Sequence, residues 1–204
     1  MKIINFSLIA SILVIPWLGA CQTSANNNSG SQAVLPSPPS ETENDPNNSL
    51  ALNRTCTNKD IGYRVSYPQD WQTNPGEVLA RCQVFDPESA TVPANTESTD
   101  KAIYLGVEKN VPFDLAAKEN MGERHLSRQN LTVQGNPAVA IESESTGKAL
   151  LPEGVRTYSY IVDLGERTMI AITYDIPGND YRENKQILDR MMETIEFEGQ
   201  LVQK

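Results

Sequence analysis

Three cysteines carry the most legible chemistry in this chain. The first closes the stretch Leu18-Gly19-Ala20-Cys21, which follows an apolar run over residues 3–17 and the lone positive charge of Lys2. A short basic start, an apolar centre and small residues at the end have the form of a secretory signal. A leucine, two small residues and then Cys match the bacterial lipobox, in which the thiol is lipidated and the Cys becomes the first residue of the mature protein. Residues 1–20 are therefore expected to be a lipoprotein signal peptide and Cys21 its lipidation site. Two blander readings compete. One is an ordinary cleaved signal with an incidental Cys. The other is an uncleaved membrane helix, for which the run is short and lacks a basic flank on its far side.

Cys56 and Cys82 remain, an even pair in a chain exported to an oxidising compartment, and they are expected to form a disulfide. Closing that loop stabilises the fold by about 3 kcal/mol in the chain-entropy account. The alternatives are two free buried thiols, or a metal role that two Cys without nearby His support poorly.

Little else has the spacing that chemistry needs. His125, the lone histidine, has no nucleophile elbow beside it. At the end of an expected helix it would sit well against the dipole. No phosphate-cradling Gly-rich loop, paired His or Cys-x-x-Cys pattern occurs. Glu142 and Glu144 share one face of an expected strand, and Asp86 and Glu88 flank a loop; oxygen ligands of this kind suit a hard cation, but neither pair has EF-hand spacing. Solvated surface is the plainer account of both. Trp71 with Tyr63, Tyr67, Tyr158, Tyr160 and Tyr174 would line a ligand cleft or, given their strand positions, pack across strands. No catalytic residue, metal ligand or cofactor is assigned.

Composition narrows the partners. The formal charge is −9, and from residue 54 onward 16 basic side chains face 23 acidic ones, leaving −7. Such a domain binds nucleic acid poorly, because phosphate neutralisation needs clustered Lys and Arg. Anionic headgroups would repel it too, so attachment to a membrane falls to the lipid.

Residues 21–53 follow the signal as Asn, Ser, Pro, Thr and acid, with no Lys or Arg and little to bury, and read as a disordered tether. One domain is expected over residues 54–204, long enough for a proper core. Alternation predicts strands over 61–67, 102–107, 130–134, 138–144, 156–164 and 168–174, with a further extended run over 79–85 carrying Cys82. The polar stretch 86–101 is long for a loop. Period changes twice. Phe113, Ala117 and Met121 predict a helix over 112–126, and Leu188, Met191, Met192 and Ile195 predict one over 181–195. Hairpin connections and two helices give an α+β domain, an antiparallel sheet of about six or seven strands with helices packed against it.

Gly62-Tyr63-x-Val65-x-Tyr67-Pro68-x-x-Trp71 resembles the opening strand of the PsbP-like (Mog/PsbP) family. Tyr158-x-Tyr160, Ile170-Ala171-Ile172, Ile187-Leu188-x-x-Met191 and Thr194-Ile195-x-Phe197 are similar to that family's last hairpin and helix, so the resemblance covers most of residues 56–198. These are packing motifs. The resemblance implies the fold, and it implies a largely non-enzymatic binding protein, as in the extrinsic subunits and assembly factors of photosystem II and small bacterial lipoproteins. Cys56 and Cys82 depart from the photosynthetic members, and none of those members' contact residues transfers here.

The resulting expectation is a lipid-anchored, extracytoplasmic binding protein, an accessory or assembly subunit that docks on a membrane protein complex. It would sit on the cell membrane or outer membrane, or in the thylakoid lumen of a cyanobacterium. Its partners are then the membrane, through the lipid, and a membrane-associated protein, with no cofactor. The alternative is a lipoprotein that binds a small molecule or divalent cation in a cleft between sheet and helices.

Overall fold

The computed structural model describes residues 50–94 and 100–198. The expected signal peptide, Cys21, nearly all of the expected tether and residues 95–99 of the long loop lie outside the described residues. Leu50 and Leu52, which composition counts with the tether, pack against the core, and Arg190 donates to the Leu50 carbonyl at 2.5 Å.

Two antiparallel sheets organise the described residues. The smaller has the order β1-β2-β10, from β1 (Arg54–Asn58), β2 (Tyr63–Tyr67) and β10 (Glu196–Phe197). The larger contains β3 (Gln72–Thr73), β4 (Val84–Asp86), β5 (Ile103–Glu108), β6 (Glu123–Val133), β7 (Asn136–Ser145), β8 (Arg156–Asp163) and β9 (Thr168–Tyr174). Its seven strands run in the order β3-β4-β5-β9-β8-β7-β6. The α+β antiparallel architecture is as expected from the alternation.

The long hairpins follow from local chemistry. Gln134 and Gly135, with φ of 51° and 81°, form the two-residue connection between β6 and β7, and left-handed backbone at both positions matches the twist of the flanking strands. The helix α2 (Tyr181–Thr194) starts at Asp180, whose carboxylate accepts from the Glu183 N–H at 3.0 Å. Ile187, Leu188, Met191 and Met192 make its buried stripe. Each such side chain contributes on the order of 1.5–3 kcal/mol relative to an exposed one.

Two sequence expectations are corrected. The helix expected over 112–126 is only α1 (Phe113–Ala116), one turn long. Asn120 Oδ1 accepts from the Gly122 N–H at 2.8 Å, turning the chain, and from Glu123 onward it runs as β6. The ladder with β7, interrupted by one bulge between His125 and Ser127, outweighs a helical period of three apolar residues. His125 is therefore a strand residue and caps no helix.

The extended run over 79–85 is a strand only from Val84. Cys82 has a φ of 64°, left-handed backbone that a strand does not admit. Buried Asn74 holds this segment in place: its Nδ2 donates to the carbonyls of Leu79 and Ala80, and its Oδ1 accepts from the N–H groups of Gln83 and Val84. The Tyr63 hydroxyl donates to the Cys82 carbonyl at 2.6 Å. Cys56 and Cys82 form the expected disulfide, with 5.9 Å between their Cα atoms, tying the small sheet to this loop.

Candidate binding surface

The large sheet has two unlike faces. Leu105, Ala138, Ala140, Tyr158, Val162 and Ala171 alternate onto the face that joins α2 in the main core. The other face carries Val139, Ile141 and Ile161 beneath α1, and Val84 and Tyr104 beneath Ala90 and Val92 of the polar loop. Between these two covers, Ile170, Ile172 and Tyr174 remain half-buried.

A polar network secures the α2 side. The hydroxyls of Tyr158 and Tyr160 both donate to Asp189 Oδ1, at 2.7 and 2.8 Å. Lys185 lies 4.4 Å over the Tyr158 ring and ion-pairs with Glu142 at 2.7 Å, while the Tyr181 hydroxyl donates to Glu142 at 3.1 Å. Lys185's hydrogen bond holds the Glu142 carboxyl below the usual range against its partial desolvation, with help from that lysine's charge, Tyr181 and Arg156. Burial pushes the Tyr158 hydroxyl up, followed by its bond to Asp189, and burial takes Tyr160 up to about 12. These phenols are neutral donors at any physiological pH. The network is a clamp: of the aromatic pair expected to line a cleft or to pack, Tyr158 packs, and Tyr160 both packs and lines a cavity of about 310 Å³ with Asp189 and Met192. Thr173 Oγ1 and Asn184 Nδ2, buried on the same side, have no hydrogen-bond partner among the described residues.

The half-covered face is different. A cavity of about 240 Å³ opens there, floored by Ser145, Thr157, Ile172 and Tyr174 and walled by Gly122, Ala149, Leu150 and Leu151. Its floor comes from β7, β8 and β9, and its walls come from the loops before β6 and after β7. Those loops are bound to one another: the Thr146 N–H donates to the Gly122 carbonyl at 3.0 Å and its hydroxyl to the Met121 carbonyl at 2.6 Å. The Ser145 hydroxyl donates to the Leu151 carbonyl at 2.9 Å. Burial, then the nearby Tyr104, raises the Tyr174 hydroxyl to about 12, so it too offers a neutral donor.

The remaining sequence candidates are dispersed and paired. Asp86 is buried and accepts from the N–H groups of Glu88, Ser89 and Ala102, bracing both ends of the polar loop. Glu144 pairs with Arg124 at 2.7 Å, across the β6–β7 ladder. His125 Nε2 is 3.9 Å from Glu123, and its backbone N–H donates to Glu119. Among the described residues no three of His, Cys, Asp and Glu gather in a metal-holding group. A polar cleft of about 800 Å³ beside the disulfide is lined by Tyr67, one of the aromatic residues expected to line a cleft or to pack, and by Arg54, Thr73 and Arg81, which sequence reasoning missed. Arg54 donates to the Trp71 carbonyl at 2.9 Å and stacks 5.1 Å over the Tyr67 ring. The half-covered sheet face was legible in principle: Ile170, Ile172 and Tyr174 sit on one side of an alternating strand whose other side, Met169, Ala171 and Thr173, is also buried.

No family model matches the chain, and no curated protein matches its sequence. Solved structures do. The cyanobacterial PsbP of Synechocystis is similar over 71% of this chain and 91% of its own, with 9% identity and a TM-score of 0.43. The Ran-binding protein Mog1p of Saccharomyces cerevisiae is similar over 72% of this chain and 96% of its own, with 10% identity and a TM-score of 0.43. A protein of unknown function from Pseudomonas aeruginosa matches over 69% and 94%, with 12% identity and a TM-score of 0.36. What those proteins bind is not carried over at this level of likeness. No helix among the described residues is long and apolar enough to cross a membrane.

Proposed function

We propose that this chain is a lipid-anchored, extracytoplasmic binding protein that docks on a membrane protein complex as an accessory or assembly subunit. The observation that carries the reading is the half-covered sheet face, where Ile170, Ile172 and Tyr174 stay partly exposed beside an apolar-walled cavity. An antiparallel sheet can leave one face to water, but such a face is ordinarily polar, whereas this one presents two isoleucines and a tyrosine. Cys21 supplies the anchor in this reading. A polar segment of the tether's length, treated as a flexible coil, spans on the order of 30 Å and keeps the domain near its target.

The test is purification of the intact lipoprotein from its own membranes in mild detergent, beside Ile172→Glu and Ile170→Glu variants. A partner at near-equal stoichiometry with the parent, lost from both variants while their unfolding midpoints stay within a few degrees, supports docking through this face. A partnerless protein overturns it. The cavity itself favours a second reading, a small apolar ligand held over Ile172 and Tyr174, which native mass spectrometry of the purified protein would reveal. The divalent-cation version draws no support from Glu142 and Glu144, whose carboxylates are engaged by Lys185 and Arg124.

A further inference from the structure

Met121 and Leu150 are the two most exposed large hydrophobic side chains among the described residues, at 78% and 81%. They stand one residue to either side of a close contact: a Cβ on Gly122 would lie 2.6 Å from the Ala149 Cβ. Glycine is required there because any side chain would drive the two loops apart. The loops are further joined by the two bonds from Thr146, so their tips form one braced knuckle. Within three residues of the tips lie three basic side chains, Lys118, Arg124 and Lys148, and three acidic ones, Glu119, Glu123 and Glu153, so the knuckle carries no net charge. Leu150 also walls the cavity over Ile172, yet most of its side chain, like that of Met121, faces water, which opposes the exposure.

We propose that this knuckle dips into the surface of the bilayer to which the chain is anchored. The inference rests on the lipid-anchor reading and adds to it an orientation for the domain. The occupant follows from chain length and chemistry. With the lipid at Cys21 and the described chain beginning at Leu50, the domain lies within tether reach of lipid at all times. Two separate apolar tips on a locally neutral knuckle suit the boundary between headgroups and acyl chains. Because the anchor already confines the domain, two side chains suffice to bias its orientation without holding it there alone. The domain's overall charge of −7 works against a flat approach, which leaves the locally neutral knuckle as the point of contact.

The full-length lipidated protein, reconstituted in phosphatidylcholine liposomes with and without brominated acyl chains, tests this. Single tryptophans replace Met121, Leu150 or, as the control, Val78, which is 52% exposed in the loop between β3 and β4 at the far end of the strand order. The unsubstituted protein supplies the background emission to subtract. Expected is at least a twofold quenching of the added emission for Met121→Trp and Leu150→Trp, with Val78→Trp unchanged. Flotation of the liposomes with the protein, lost in Cys21→Ala, reports the anchor separately. Flotation with no quenching at 121 and 150, or with equal quenching at 78, overturns the knuckle and leaves the anchor standing; a protein partner would then be the occupant. No flotation of the lipidated form overturns both.

Discussion

Replacing Asp189 by Ala removes the one acceptor shared by the Tyr158 and Tyr160 hydroxyls. A hydrogen bond to a charged group contributes about 1.5–3 kcal/mol net, and a buried donor left without a partner costs about 1–3 kcal/mol. Tyr158 is buried as a residue, whereas Tyr160 is half-exposed at the rim of a cavity that Asp189 also lines, so the second hydroxyl finds water more readily than the first. Full weight for the first bond and less for the second, which shares the same oxygen, gives a loss of about 2–3 kcal/mol. For a domain of this size each kcal/mol lowers Tm by about 2–4 °C, so a fall of about 5–10 °C is expected. The assay is urea unfolding of Asp189→Ala, of the Tyr158→Phe/Tyr160→Phe pair and of the triple variant. Removing the hydroxyls should destabilise the parent but restore at least about 1 kcal/mol in the Asp189→Ala background, because Phe has no donor to orphan. An Asp189→Ala variant within 0.5 kcal/mol of the parent, roughly the scatter of neutral surface changes, would refute the clamp. So would strictly additive losses in the triple variant.

Two further outcomes are expected. Cys56→Ala/Cys82→Ala, which opens a loop with a sequence separation of 26, should lower the unfolding free energy by roughly 3–4 kcal/mol, read from the urea midpoint; a change below about 1 kcal/mol would mean that the Asn74 and Tyr63 bonds alone fix the 74–83 loop. Glu142 has a folded-state pKa below its unfolded value of about 4.3, so its contribution is present above that value and lost as pH falls through the lowered one. Glu142→Gln should therefore be less stable than the parent at pH 7, with the gap closing at pH values below about 4. A gap of constant size across that range would show that Glu142 acts by shape and not by charge.

The elements that sequence located well are those with long, uninterrupted period. Alternation over 138–144, 156–164 and 168–174 placed β7, β8 and β9 nearly to their ends, because one face of each strand packs against α2 and the pattern has to keep step with the pleat. The stripe of α2 was legible for the same reason. Sequence failed at 112–126, where three apolar residues at helical spacing suggest a helix that β6 cuts short. Nothing local to that segment announces that a ten-residue partner, β7, is available to pair with it. The two-residue strands β3 and β10 escaped notice because they are too short to show a period.

The candidate surface divides in the same way. The acidic balance, and the expectations of a lipobox at Cys21 and of a Cys56–Cys82 pair, rest on residue type, order and count, so they come from the chain alone. Which face of the large sheet α2 covers, and that the other keeps Ile170, Ile172 and Tyr174 half-open, depends on contacts between residues distant in sequence. The sharing of Asp189 by Tyr158 and Tyr160 spans 31 and 29 positions. The knuckle is more remote from local reading still, since Met121 and Leu150 look like the core residues their types suggest. Only the tertiary structure turns them outward, because the loops that carry them are braced by their own bonds and lie past the ends of the strands, where no second layer among the described residues covers them.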